Sequence, residues 1–281
     1  MNSLISFLGK HKLVNILIGA CYYLATVLLH EEVSKVSVWI QDKLTLMVYN
    51  NLITVIGVAL IVAMSSYIAN RIRLSSDRYF RTFYLFMTIG LVVLSYTTLM
   101  VVNVEAIHFL QYTMLAIPVF AVTLHFGDTL FWTTFLGAID EAYQYFVLKN
   151  WKYFDFNDIV LNLVGGAIGV MLIYIMLDYK RFAPDIKNRK WFKSPAIITS
   201  ALLTVSSLLL YMAGVVRTYP GPDSRKAVIL LSKELPSKEF WISFKWGKTY
   251  HILKPVEGII LCIVLAGIYY LIDYRVRTKQ L

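Results

Sequence analysis

The chain has 281 residues, of which 58% are hydrophobic and only 16% charged, with a mean hydropathy of +0.63. Soluble domains carry about 25% charged residues, so this composition excludes an ordinary globular fold and points to a membrane. The net charge of +10 then reads as basic loops obeying the positive-inside rule, with no nucleic-acid partner expected.

A bilayer span needs about 20 mainly apolar residues. Segments of that kind lie at 12–30, 49–69, 83–103, 107–124, 129–148, 158–177, 195–216 and 256–273. Lys10 and Lys12 precede the first, which continues to His30 without a small-residue cleavage site. It therefore reads as a span and not as a signal peptide. The connections Asn103–Ala106 and His125–Asp128 are very short, which predicts that spans three to five are antiparallel neighbours. Pro118 predicts a kink in the fourth span, because it removes a backbone donor in mid-helix. Cys21 and Cys262 sit in apolar runs outside any C-x-x-C motif and read as small packing residues.

The stretch 217–254 is the one sizeable piece outside the apolar runs. Tyr219 to Asp223 is turn chemistry, Ser224–Leu235 reads as a short amphipathic helix ended by Pro236, and Phe240–Leu253 reads as two short strands. The segment is basic and aromatic. Two readings stand open: a flap on anionic headgroups, or a lid over a site.

Lys and Arg counts set the expected orientation. With the N-terminus inside, fifteen basic residues fall on the cytoplasmic side and four in the short outer loops. The expected fold class is thus an all-α integral membrane protein with about eight transmembrane helices. Both termini are cytoplasmic, and a small extracytoplasmic segment separates the last two spans. The chain divides into helices one to three (1–104), a core of helices four to six (105–178), and the last two helices with their segment (179–281).

Polar residues in the core recur at helical spacing. Glu105, His108 and Tyr112 form a stripe on the fourth span, Glu141 and Gln144 share a face of the fifth, and Asp158 and Asn162 a face of the sixth. An ionisable group at the bilayer centre costs about 3 kcal/mol, so such groups ask for a reason. The expected orientation puts all of them in the outer half of the membrane. Glu141, His108 and Asp158 are the candidates for proton chemistry. Tyr112, Asp140, Gln144, Asp155, Asn162 and Glu105 are the candidate ligand-binding companions. Glu141 reads equally as an interhelical tie or as a proton or ligand acceptor, and Asp140 can share that part. Asp155, Asn157 or Asp158 can also cap the sixth helix. Gly165, Gly166 and Gly169 read as helix-packing residues.

Glu105-x-x-His108 has the spacing of di-metal carboxylate helices, but no second such pair follows. H-E-x-x-H, G-x-S-x-G and Gly-rich phosphate motifs are absent from the sequence, so no metal and no cofactor is expected.

Three motifs in this stretch resemble the VanZ-like family of bacterial membrane proteins. Glu105-Ala-Ile-His108-Phe-Leu-Gln-Tyr112 is similar to its E-x-x-H-F-x-E-Y helix, and Asp140-Glu141-Ala-Tyr-Gln144 to its D-E-x-x-Q helix. Asp155-Phe-Asn-Asp158 through Asn162 to Gly165, Gly166 and Gly169 is similar to its D-x-x-D-x-x-x-N-x-x-G-G-x-x-G helix. The chain departs from the pattern at Gln111, where an acid is common, and at Lys149–Lys152, where Pro and Arg are usual. Residues 195–281 lie beyond the motifs. The resemblance implies a multi-pass protein of the bacterial cytoplasmic membrane, in a family named for low-level teicoplanin resistance. The leading expectation is a non-enzymatic envelope protein whose partners are membrane lipids and a lipid-linked cell-wall precursor or lipophilic glycopeptide. An intramembrane enzyme and a proton-coupled lipid transporter are the alternatives.

Overall fold

The computed structural model describes residues 2–149, 153–177, 194–221, 227–243 and 248–278. The basic stretch at 178–193, used above for orientation, lies outside them. The chain is an all-α membrane protein, with two short two-stranded pairings among the described residues.

Helices α1 (Asn2–Lys10) and α2 (Lys12–Leu28) meet at His11 with a bend of 104°. Next come α3 (His30–Leu44), α4 (Leu46–Arg73) and α5 (Arg78–Thr98). A 3₁₀ turn, Asn103–Ala106, leads into α6 (Ile107–Thr123), and α7 (Phe126–Ala142) runs on through a π-helical turn, Tyr143–Leu148. The last helices are α8 (Phe156–Met176), α9 (Pro195–Met212) and α10 (Pro255–Thr278). Among the described residues six helices are long and apolar enough to cross a membrane, seven if the bent α1–α2 pair is one span. The fifth expected segment, 129–148, falls on α7 and its π-helical turn, whose α-helical part has 17 residues.

The organising element is α8. Most of its buried surface is apolar or glycine, and Leu161, Leu163, Val164, Ala167, Val170 and Ile173 are fully buried. Helices α6 and α7 flank it, with α5, α10 and α4 completing the shell. The glycines explain the close flanks. A Cβ on Gly165 would meet the His108 carbonyl oxygen at 2.7 Å, and one on Gly169 would meet Ala116 at 2.5 Å, both on α6. One on Gly166 would meet Thr133 on α7 at 2.5 Å. The packing reading of these glycines holds on two faces at once.

Capping fixes the helix ends. Asp155 accepts from the Asn157 and Asp158 amides at 2.9 and 3.3 Å, so it caps α8, one of the alternatives left open above. Ser194 caps α9, with Pro195 in the first turn. At the far end of α8, Arg81 donates to the Ile175 carbonyl at 2.7 Å and Arg71 to the Met176 carbonyl at 2.8 Å. These cations sit where the helix dipole is negative. The N-terminus of α7 is capped from α10: Asp273 accepts from the Phe126 and Gly127 amides at 2.9 and 2.7 Å.

Two expectations change. Helix α5 packs on α8 and not on α6, because the linker from Leu99 to Val102 carries the chain across before α6 begins; α6 and α7 are neighbours as expected. Pro118 lies inside α6, and its carbonyl accepts from Asn15 of α2 at 3.0 Å. Residues 227–235 are extended, not helical: β2 (Ile229–Leu230) pairs in parallel with β1 (Val216–Arg217). Nearby helix faces offered this segment backbone partners, and the chain took them: the Phe154 amide donates to the Leu231 carbonyl at 2.8 Å. The two strands expected in Phe240–Leu253 are present as β3 (Ile242–Ser243) and β4 (Thr249–Tyr250), paired antiparallel. Cys262 packs half-buried on the core, whereas Cys21 is exposed on α2.

Candidate functional site

The polar stripes of α6, α7 and α8 meet at one end of the three-helix core. His108 Nδ1 lies 2.8 Å from Asn162 Oδ1, so the α6 and α8 stripes face each other. The other ring nitrogen, Nε2, is 3.8 Å from Asp158 Oδ1, longer than a direct hydrogen bond. On the α7 side, Gln144 Nε2 donates to Asp140 Oδ1 and to Glu141 Oε1, each at 3.3 Å. Tyr112 donates to Asp140 Oδ2 at 3.4 Å, which ties α6 to α7. Asn162 also fixes the spacing of α8 from α7. A Cβ on Gly137 would fall 2.8 Å from its Nδ2, so only glycine admits that amide.

Within this network Asn162 Nδ2 is buried and has no hydrogen-bond partner among the described residues. Leaving such a donor unpaired costs about 1–3 kcal/mol. Exposure singles out a second feature. The Asp158 side chain keeps 19% of its surface open, against 4% for His108. Of that pair Asp158 is the more open to the outside of the bundle, and His108 is the more enclosed.

Two of the expected companions have a different occupation. Glu105 accepts from the Val101 and Val102 amides at 2.8 and 3.3 Å and so closes the 3₁₀ turn before α6. Asp155 caps α8, and burial, then the charge of Asp158, pushes its carboxyl up to about 7. Both stand beside the network without joining its side-chain bonds.

The structure adds residues that sequence spacing did not single out. Tyr23 of α2 donates to the Leu136 carbonyl at 2.9 Å, and His30 of α3 stands with its ring centroid 6.3 Å from that of His108. No periodic signal linked them to the motifs, because the contact is made by helices more than 75 residues upstream. Asn157 is the larger omission. Its side chain holds three backbone groups: the Leu99 carbonyl (3.1 Å), the His251 carbonyl (2.7 Å) and the Leu253 amide (2.8 Å).

Through Asn157 and its neighbours, the 217–254 segment is fixed to the same end of the core as the polar network. Tyr145 donates to the Leu230 carbonyl at 2.7 Å, Tyr153 pairs with Ser232, and the His251 amide donates to the Thr98 carbonyl at 2.7 Å. Lys233 lies over the Tyr145 ring and Lys248 over the Tyr96 ring, each about 5.0 Å from the centroid. Among the described residues no group of His, Cys, Asp and Glu has the geometry to hold a metal ion.

The family comparison falls on this same part of the chain. Residues 46–177 match the VanZ/LLP1 family model. The chain carries a VanZ-like domain. The match opens at α4, so the domain takes in α4 and α5 as well as the three motif helices, and it closes where α8 ends. Helices α9 and α10 and the 217–254 segment lie beyond it. Comparison with curated proteins and with solved structures gives no match.

Proposed function

We propose that this VanZ-like membrane protein is non-catalytic, resides in the bacterial cytoplasmic membrane with both termini inside, and holds a lipid-linked cell-wall species or lipophilic glycopeptide at the outer leaflet. Low-level teicoplanin resistance would be its visible effect. The observation that carries the reading is the network itself: a buried side-chain-to-side-chain constellation with an unsatisfied Asn162 donor, beneath a basic segment fixed to the same helices. Intramembrane ionisable groups of this kind mark sites by default. The basic residues Arg71, Arg73, Arg78 and Arg81 gather at the opposite end of α8, which agrees with an outward-facing network. In this reading Glu141, Asp158 and His108 supply charge and proton exchange. Gln144, Asn162 and Tyr112 are neutral partners, and Lys233 and Lys248 draw anionic groups.

The test is teicoplanin sensitivity in a susceptible Gram-positive host carrying empty vector, the wild-type chain or Glu141→Gln at matched membrane levels. The expected outcome is protection by wild type and none by the variant. Equal protection by both would make Glu141 a structural tie. No protection by either would separate this chain from the resistance phenotype.

A second reading has one observation in its favour: His108 is held between Asn162 and Asp158 with Glu141 across the network. That is an arrangement for an intramembrane enzyme, with Glu141 as base and His108 as acid. Altered lipid-linked intermediates in wild-type membranes, restored by His108→Gln, would mark it. A proton-coupled lipid transporter would instead show pH-dependent lipid movement in vesicles.

A further inference from the structure

The link between the 217–254 segment and the core turns on His251. Its ring is buried, stacked on Phe240 with centroids 4.0 Å apart, and both ring nitrogens face oxygen. Nδ1 is 2.7 Å from the Phe240 carbonyl, and Nε2 is 3.1 Å from Glu257 Oε2 on α10. A carbonyl oxygen only accepts, so Nδ1 carries a proton. The same Glu257 oxygen accepts the Lys254 amide at 2.8 Å, and as a carboxylate oxygen it offers only lone pairs. With Glu257 ionised, both ring contacts are satisfied together by the doubly protonated imidazolium.

We propose that His251 is a proton-operated latch that holds residues 248–254 against the VanZ-like core and opens as it loses a proton. A neutral ring that keeps the Phe240 bond turns a lone pair toward the Glu257 carboxylate, so one of the two ties is lost. The tie matters because His251 and Leu253 carry the dock: Asn157 holds the His251 carbonyl and the Leu253 amide, and Thr98 holds the His251 amide. Among the described residues the groups facing the ring are few. From α10 comes Glu257, with Lys254 on the same carboxylate and the Tyr219 phenol within reach of its charge. From α8 comes the Asn157 amide, from α5 the Thr98 carbonyl, and from the segment Phe240 and Trp241, none of which titrates in the relevant range. The switch therefore belongs to the His251–Glu257 pair. That the latch governs ligand access rests on the function proposed above; the latch itself does not.

The test is alkylation by a membrane-impermeant maleimide of Leu253→Cys, in a Cys21→Ala, Cys262→Ala background. Leu253 is buried beside Asn157, and Lys238→Cys on the same exposed segment serves as the reference that cancels the reagent's own pH dependence. The ratio of the two rates is expected to rise between about pH 5 and pH 8, where imidazoles change charge. At its steepest it should approach about tenfold per pH unit, the limit for release of one proton. His251→Gln is expected to label rapidly at every pH. Glu257→Ala, which removes the acceptor, should likewise label rapidly at every pH. A flat wild-type ratio overturns the proposal, as does a pH dependence that survives in either variant. The readout needs neither glycopeptide nor lipid ligand, so its failure is distinct from failure of the resistance test.

Discussion

The two ends of the VanZ-like core both bury polar side chains, but they spend them differently. At the arginine end the ties that hold the helix ends go to backbone: Arg81 and Arg71 meet the last carbonyls of α8, and Asp273 meets the first amides of α7. Side-chain pairs stand beside them, with Ser194 and Tyr270 donating to Asp128 at 2.6 and 2.7 Å. At the opposite end side chains meet side chains: His108 with Asn162, Gln144 with Asp140 and Glu141, Tyr112 with Asp140. A backbone group has one position, so a residue that serves it is part of the scaffold. A side-chain pair can exchange a proton or open to a ligand without unravelling a helix. The contrast also sorts the site end internally, because Glu105 and Asp155 serve backbone amides and so belong with the scaffold.

The arginine end should give the largest effect on stability. Arg81 is buried, bonded to the Ile175 carbonyl and placed over the Tyr174 ring at 5.2 Å. Arg81→Met strips the end of α8 of a charged donor, at a cost of about 3 kcal/mol. The expected result is a fall in unfolding temperature in detergent of about 6–10 °C. Any loss of teicoplanin protection should scale with the amount of folded protein. If protection falls while folded protein does not, the scaffold-versus-site division is wrong.

A smaller and more local effect is expected at the seam between the two ends. Gly165→Ala sets a methyl group 2.7 Å from the His108 carbonyl oxygen and 3.0 Å from Phe109. Backbone there cannot step aside cheaply, so α6 and α8 must part, at about 1–3 kcal/mol. The same shift draws His108 away from Asn162. Protection should therefore fall further than folded protein does, unlike the arginine-end variant. Gly57→Ala, with open space around it, is the control and should change neither.

These contrasts show what the sequence could and could not carry. Hydropathy placed the helices because each must satisfy its backbone internally in lipid, and that requirement is local. The stripes at Glu105–Tyr112, Asp140–Gln144 and Asp155–Asn162 were legible for the same reason: helical periodicity decides which residues share a face. What stayed hidden depends on contacts between distant segments. Nothing in Asn157 itself announces that it will hold residues near 251, and nothing around Arg71 or Arg81 names the α8 carbonyls. The extended course of 227–235 has the same origin. Its alternating pattern suits a strand or a short helix, and the free backbone beside Phe154 decided between them.

The smallest effect expected probes Asp155, where scaffold and site touch. Its carboxyl is pushed up to about 7, first by burial and then by the charge of Asp158, against an ordinary value near 3.8. The folded chain thus holds a proton that the unfolded chain releases. The corresponding stability is complete below about pH 4, declines as pH rises toward 7, and is gone above it. Asp155→Asn keeps an oxygen to cap α8 but has nothing to ionise. Its unfolding temperature should gain on wild type as pH rises from about 5 to 8, by about 2–4 °C. Neighbouring carboxyls titrate in both proteins and cancel in the difference. The Tyr250 phenol, raised by burial and then by the Asp155 and Glu105 charges, should in turn titrate lower in the variant, which ultraviolet absorbance can follow. Parallel unfolding curves for the two proteins would mean that Asp155 ionises in the folded state at no cost. The site end would then be wet up to its cap, and the acidic groups behind it would be open to solvent without any movement of the segment above them.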